Sequence, residues 1–226
     1  MGHRLRSTAT VFTTVAFVAA LGILVVAPAA GASKADDLKT ARAGVLIASD
    51  FPAGWSGTRA SSPSDAAVIK QASSIKDCKS YVALRKLTQA LPKAHSLEFS
   101  DGTTSTMSNV VNGFATTGKV SAAMKLFSSS TIASCLEQYT QKAVGSKGTV
   151  TLTPANITGL GADTVGYTAD ITDTSGTVVD QLITFAVPVG RYISAYTVEV
   201  QSNAAPIDTI DAAVNASITR LQDAAG

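Results

Sequence analysis

The chain has 226 residues, 46% of them hydrophobic and 15% charged, with 18 Lys and Arg against 16 Asp and Glu. Arg4 and Arg6 lie near the start, and beyond residue 32 the basic and acidic side chains balance. A nucleic-acid binder needs a basic surplus to replace counterions, so the balance argues against that class. Two cysteines with no Cys-x-x-Cys, and His95 as the one histidine beyond residue 32, argue against a metal site and imply no cofactor.

Residues 1–32 open with His3, Arg4 and Arg6, continue as an apolar run from Val11 to Val26, and end in Ala30-Gly31-Ala32 behind Pro28. This is the order of a secretory signal, which predicts cleavage between Ala32 and Ser33 and a single exported domain over 33–226. The alternative is an uncleaved membrane anchor. No cysteine follows the apolar run, so a lipoprotein is not expected, and the expected location is extracellular or in the cell envelope. Residues 33–150 hold 14 basic and 8 acidic side chains, whereas residues 151–226 hold 2 and 8. Two halves of one fold can attract each other in this way. The other reading is a bipolar surface that steers a charged ligand or pairs with a second copy as a homodimer.

In chain order, residues 36–47 have apolar side chains at helical spacing: Leu38, Ala41, Val45 and Ala48. A turn follows at Asp50-Phe51-Pro52-Ala53-Gly54-Trp55. Ser64 or Asp65 can cap a helix from Ala66, and Cys78 to Leu91 is a helix with Tyr81, Leu84, Thr88 and Leu91 on one face, stopped by Pro92. Strands are expected at 97–100 and 105–116, then helices on the stripes Val120, Ala123, Met124, Phe127 and Ile132, Cys135, Leu136, Tyr139, Ala143. Cys78 and Cys135 thus fall on helical segments. In an oxidising compartment they are expected to pair, with two buried free thiols as the alternative.

The last third changes period. Val165, Tyr167, Ala169 and Ile171 alternate with polar residues, and 178–187 and 192–201 are rich in β-formers. The connections Thr174-Ser175-Gly176 and Pro188-Val189-Gly190 read as three-residue hairpin loops, giving an antiparallel meander. That loop length would place Val179, Ile183 and Phe185 opposite Ile171, Tyr167 and Val165, with Ile193 and Ala195 continuing the face. The reverse face would carry Val178, Leu182, Ala186, Tyr192, Tyr196, Val198 and Val200. Residues 206–221 close as a helix striped by Ile207, Ile210, Val214, Ile218 and Leu221. A sheet apolar on both faces needs cover on both, so the expected fold is α+β, an antiparallel sheet in a layered α/β sandwich. Where that cover is partial, a binding groove is expected on the reverse face, lined by Tyr192, Tyr196, Leu182 and Val198, with Trp55 at its rim.

Catalytic machinery is not expected. His95 in a loop is a thin basis for a triad, and Gly159-Leu160-Gly161 lacks the Lys and Ser/Thr of a phosphate loop. Asn156-Ile157-Thr158 and Asn215-Ala216-Ser217 fit the glycosylation sequon, which is frequent by chance.

The string Leu46-Ile47-Ala48-Ser49-Asp50-Phe51-Pro52-Ala53-Gly54-Trp55 resembles the "leucine, acidic residue, Leu/Phe-Pro-x-Gly-Trp" opening of small exported actinobacterial proteins. These resemble, more distantly, the extracellular sensor domain of mycobacterial receptor Ser/Thr kinases and the PsbP-like sandwich. The resemblance implies ligand sensing in a cleft without catalysis. Those sensor domains typically carry two disulfides, and this chain can make one. The leading expectation is a secreted, non-catalytic binding module for a small molecule, a lipid or another cell-envelope ligand. The second is a structural or interaction protein that uses a sheet face to dimerise or dock on an envelope protein. A hydrolase is the third.

Overall fold

The computed structural model describes residues 33–59, 65–155, 157, 159–201 and 206–226. The expected signal, with Ala32 of its junction, lies outside the described residues, as do Ser64 and the sequon residues Asn156 and Thr158.

Helix α1 (Lys34–Ala43) starts at Ser33, whose hydroxyl accepts the Asp36 N–H while the Asp36 carboxylate takes the Ser33 N–H, a reciprocal cap. It stops at Gly44, earlier than the apolar spacing suggests. A Cβ at Gly44 would lie 2.9 Å from the Leu221 Cβ, so only glycine lets the chain cross the last helix this closely. The short strand β1 (Ser56–Thr58) is followed by α2 (Asp65–Ser73) and α3 (Lys79–Gln89). Strands β2 (Lys93–His95), β3 (Glu98–Ser100) and β4 (Ser105–Gly113) precede α4 (Thr117–Phe127) and α5 (Ser130–Val144). Strands β5 (Gly148–Pro154), β6 (Val165–Asp173), β7 (Val178–Val189) and β8 (Tyr192–Gln201) lead to α6 (Ile207–Ala225).

All strands join one antiparallel sheet in the order β1-β3-β4-β8-β7-β6-β5, with β2 beside β3 on β4. Helices α1 and α6 cover one face, and α4 and α5 pack on the other, carrying α3 above them. The architecture is an α+β sandwich with the expected meander β6-β7-β8.

The register departs from the expected one. The tip of β6-β7 is the three-residue loop, since the Asp173 N–H bonds the Thr177 carbonyl across Gly176, whose φ is 86°. Thr172 then pairs with Val178, but Ile171 pairs with Asp180, so Val179 is an extra, bulged residue. The β7-β8 connection is two residues, Gly190-Arg191, and not three, so Phe185 pairs with Tyr196 and Val187 with Ser194. The first change shifts the register by one residue and the second by three, and an odd shift turns the side chains of β7 over relative to its neighbour. Ile183 and Phe185 therefore share a face with Tyr196 and Val198. Leu182 and Ala186 share the other with Tyr167, Ile193 and Ala195. The expected grouping of Leu182 with the tyrosines is corrected by that bulge and that turn.

The α1–α6 side is filled. Tyr196 stacks on Phe185 at 4.8 Å, and its hydroxyl meets the Ser217 Oγ of α6 at 2.5 Å. Asn109 of β4 accepts from the Leu46 N–H and donates to the Gly44 carbonyl and the Ser194 hydroxyl. The opening string that carries the family resemblance is structural here. Leu46 is buried, and Phe51 stacks between Trp55 and Phe99. Asp50 accepts two N–H bonds, at 2.6 and 2.7 Å, from Arg220, which latches α6 to the connection between α1 and β1.

Candidate functional site

The opposite face is built differently. Val120, Ala123 and Met124 of α4 pack on Phe114, Ala186 and Ile193. A separate small cluster forms around the disulfide of Cys78 and Cys135, with Ala72, Ile75, Tyr81, Val82 and Tyr139. The bond joins the N-terminus of α3 to the middle of α5, with Cα atoms 4.7 Å apart. Helix α3 thus packs chiefly on α2, α4 and α5 and reaches the cluster between α4 and the sheet through Leu84.

Between the two clusters lies a cleft of about 410 Å³. Its floor is the middle of β4, β7 and β8, at Val110, Leu182, Thr184, Ala195 and Thr197. Its roof is Tyr81, Leu84 and Arg85 of α3, Phe127 of α4, and Leu136 and Tyr139 of α5. Val110, Leu182, Thr184 and Ala195 are only half-buried although their strands lie at the centre of the sheet. A solvated face of an antiparallel sheet normally carries polar side chains, yet Val110, Leu182 and Ala195 are apolar. The volume falls in the range of small-molecule sites, and the wall is mostly apolar with a few polar groups. Two other hollows, beside Lys76 on the outer side of the disulfide, have mainly Lys, Ser, Gln and acidic side chains for walls.

The polar groups gather at one side. Asp65, at the start of α2, accepts from Arg85 Nη2 at 2.6 Å and from Lys93 Nζ at 2.5 Å. The bond from Lys93 holds the Asp65 carboxyl below its ordinary pKa. His95 stands nearby on β2, and burial, then the Lys93 charge, push its pKa down, which favours its neutral form. Burial raises the Tyr81 hydroxyl. Arg85 Nε is buried and meets no acceptor among the described residues. Asn112 also lines the cleft, buried on β4, and its side-chain amide makes no hydrogen bond among the described residues. Its strand partner is Lys93, which places it on the same side.

The expected groove residues are dispersed by the structure. Tyr196, Tyr192 and Val198 are 0%, 2% and 1% exposed, beneath α6 and α1. The Tyr192 hydroxyl donates to Asp37, which is ion-paired with Arg191. Trp55 packs on Phe51 over the filled side. Of the five, Leu182 and Tyr196 line the cleft, but the Tyr196 ring turns away from it to stack on Phe185 and reach Ser217. Arg85, Asn112 and Thr184 were not singled out by sequence reasoning. A signal existed for Arg85: it falls four residues after Tyr81, on the apolar stripe of its helix, where a charge is out of pattern.

Among the described residues, no three His, Cys, Asp or Glu side chains gather to hold a metal ion. The hydrolase reading needed clustered acids around His95. Asp65 is the carboxylate that acts on it, and its oxygens are engaged by Lys93 and Arg85. No helix of the described residues is long and apolar enough to cross a membrane.

No protein-family model and no curated protein matches the chain. Among solved structures it is similar to the extracellular domain of PknH from Mycobacterium tuberculosis, at 11% identity and a TM-score of 0.46, over 85% of this chain and 98% of that one. The structural relationship is a distant one.

Proposed function

We propose that the chain is an exported, non-catalytic binding module that holds a small, mainly apolar molecule in the cleft between β4, β8 and β7 and the layer of α3, α4 and α5. The n-, h- and c-region order of residues 1–32 and the disulfide favour export. The observation that carries the reading is the half-open floor at Val110, Leu182 and Ala195 on central strands. Leaving such a floor uncovered costs hydrophobic stabilisation that an apolar ligand restores. A neutral phenylnaphthylamine probe, fluorescent in apolar surroundings, tests it. The wild-type protein should bind the probe saturably. Ala195→Phe, which fills the floor, should weaken binding about tenfold or more with an unchanged melting temperature. Wild-type protein that leaves the probe dark, or an Ala195→Phe variant that binds it as well, overturns the reading. N-terminal sequencing of the exported protein should begin at Ser33, and recovery of Met1 or Gly2 in a membrane fraction would support an anchor instead.

A further inference from the structure

Two cations, Arg85 and Lys93, share one carboxylate, Asp65. One positive charge is therefore left over at this side of the cleft. His95, the remaining titratable group beside it on β2, has its pKa pushed down by burial, which favours the form that adds no second positive charge. The acidic side chains on the same sheet face, Asp180, Glu199 and Glu98, form a group of their own. Arg85 spends Nη2 on Asp65, while its Nε, a donor aimed differently on the rigid guanidinium fork, is buried and has no acceptor among the described residues. A buried donor without an acceptor is costly, and native proteins leave few of them. Asn112 adds a second uncommitted polar group to the same side. The rest of the wall is mostly apolar and otherwise carries only threonine and tyrosine hydroxyls, with no further charge.

We propose that the ligand of this cleft is an amphiphile with a single carboxylate head, and that Arg85 binds that head while the apolar body lies over Ala195 and Leu182. The inference rests on the cleft being the binding site. A single leftover positive charge matches one negative charge on the ligand, and the free Nε supplies a charge-assisted hydrogen bond, which is stronger than one between neutral groups. The Asn112 amide is the second donor to the head. The acidic group of Asp180 and Glu199 repels the head from its own end, which fixes the ligand's direction.

The test displaces the neutral probe with decanoate and with decanol, which share a chain and differ in the head. Wild-type protein should bind decanoate about tenfold or more tightly than decanol, with the gap narrowing in high salt. Arg85→Met keeps the apolar stem and removes the charge. It should bring the affinity for decanoate down to that for decanol measured on the same variant. Wild-type protein that binds both amphiphiles equally overturns the proposal, and this comparison needs no variant to fold. An Arg85→Met protein that binds the probe and still prefers decanoate overturns it too. Failure of the wild-type protein to bind the neutral probe sinks the cleft reading, and this inference with it.

Discussion

Strands β4, β8 and β7 offer one backbone to two helical layers, and the layers meet it in different ways. On the α1–α6 side the strands project Tyr196, Phe185 and Met107, large enough to reach the helices, and the polar atoms among them are paired. The covering helix is tied to the connection between α1 and β1 by Arg220 with Asp50 and to the sheet by Ser217 with Tyr196. On the other side the same strands project Val110, Thr184 and Ala195, which are short, and α3 is tied to α5 by the disulfide and to α2 by packing. Helix α3, fastened to other helices, does not itself have to close on the sheet, while α4 and α5 are bonded to the sheet at its edge through Phe127 with Tyr167 and Gln141 with Val150. The contrast teaches that a cleft in a sandwich needs both small side chains on the floor and a roof held from elsewhere.

The largest effect that separates the two faces is expected from Tyr196→Ala. The ring is fully buried and stacked, and Ser217 would lose the partner of its hydroxyl, so the cost is about 3–5 kcal/mol in denaturant unfolding. Probe binding per folded molecule should stay at the wild-type value, because the ring points away from the cleft. A small stability loss together with lost probe binding would place the ligand on the α6 side and reverse the assignment of the faces.

Next in size is the disulfide. It closes a loop with a sequence separation of 57, and its removal as Cys135→Ala should cost about 2–4 kcal/mol in a non-reducing melt. Unlike Tyr196→Ala, it should also weaken probe binding in the protein that remains folded, since the roof loses its anchor and settles on the floor. Unchanged probe affinity in the Cys135→Ala protein would mean that packing of α3 on α2 and α4 holds the roof without the bond.

Much of the fold was legible because periodicity reports which side of an element is buried. The stripes of α4, α5 and α6, the alternation in β6 and the even cysteine count lead to the observed helices, meander and disulfide. Strand β5 was legible too, since Val150 and Leu152 alternate with threonines, but it was not among the expected elements. The three-residue strands β1 and β2 are too short to carry a period. An incompletely covered sheet face was legible, and the residues that line it were not. A partly covered sheet face follows from composition, but which residues face it depends on single-residue register. The bulge at Val179 and the turn at Gly190-Arg191 have no strong local signature and invert β7. Tyr192 and Tyr196 then fall on the filled side, and Leu182 on the open one.

The smallest expected effect is a pH dependence that belongs to the open face alone. Glu199 lies on that face beyond Thr197, diagonal to Asp180 across the β7-β8 pair. Burial raises its pKa above the ordinary carboxylate value, and the neighbouring Asp180 charge raises it further. A carboxyl that holds its proton more tightly when folded makes the folded state the more protonated one between the two pKa values. Its contribution is therefore most favourable below the ordinary carboxylate pKa and is lost as pH rises through the raised value. Glu199→Gln should leave stability in mild acid nearly unchanged and raise it at neutral pH, so the difference between variant and wild type grows with pH. Because water reaches this edge, the gain should stay below about 1 kcal/mol. Paired urea titrations at about pH 4 and about pH 7.5 measure it. The filled side supplies the control, since its carboxylates Asp37 and Asp50 are each paired with an arginine. A Glu199→Gln protein whose difference from wild type is the same at both pH values would mean that Asp180 and Glu199 are screened from one another, and that the acidic end of the cleft does not orient the ligand.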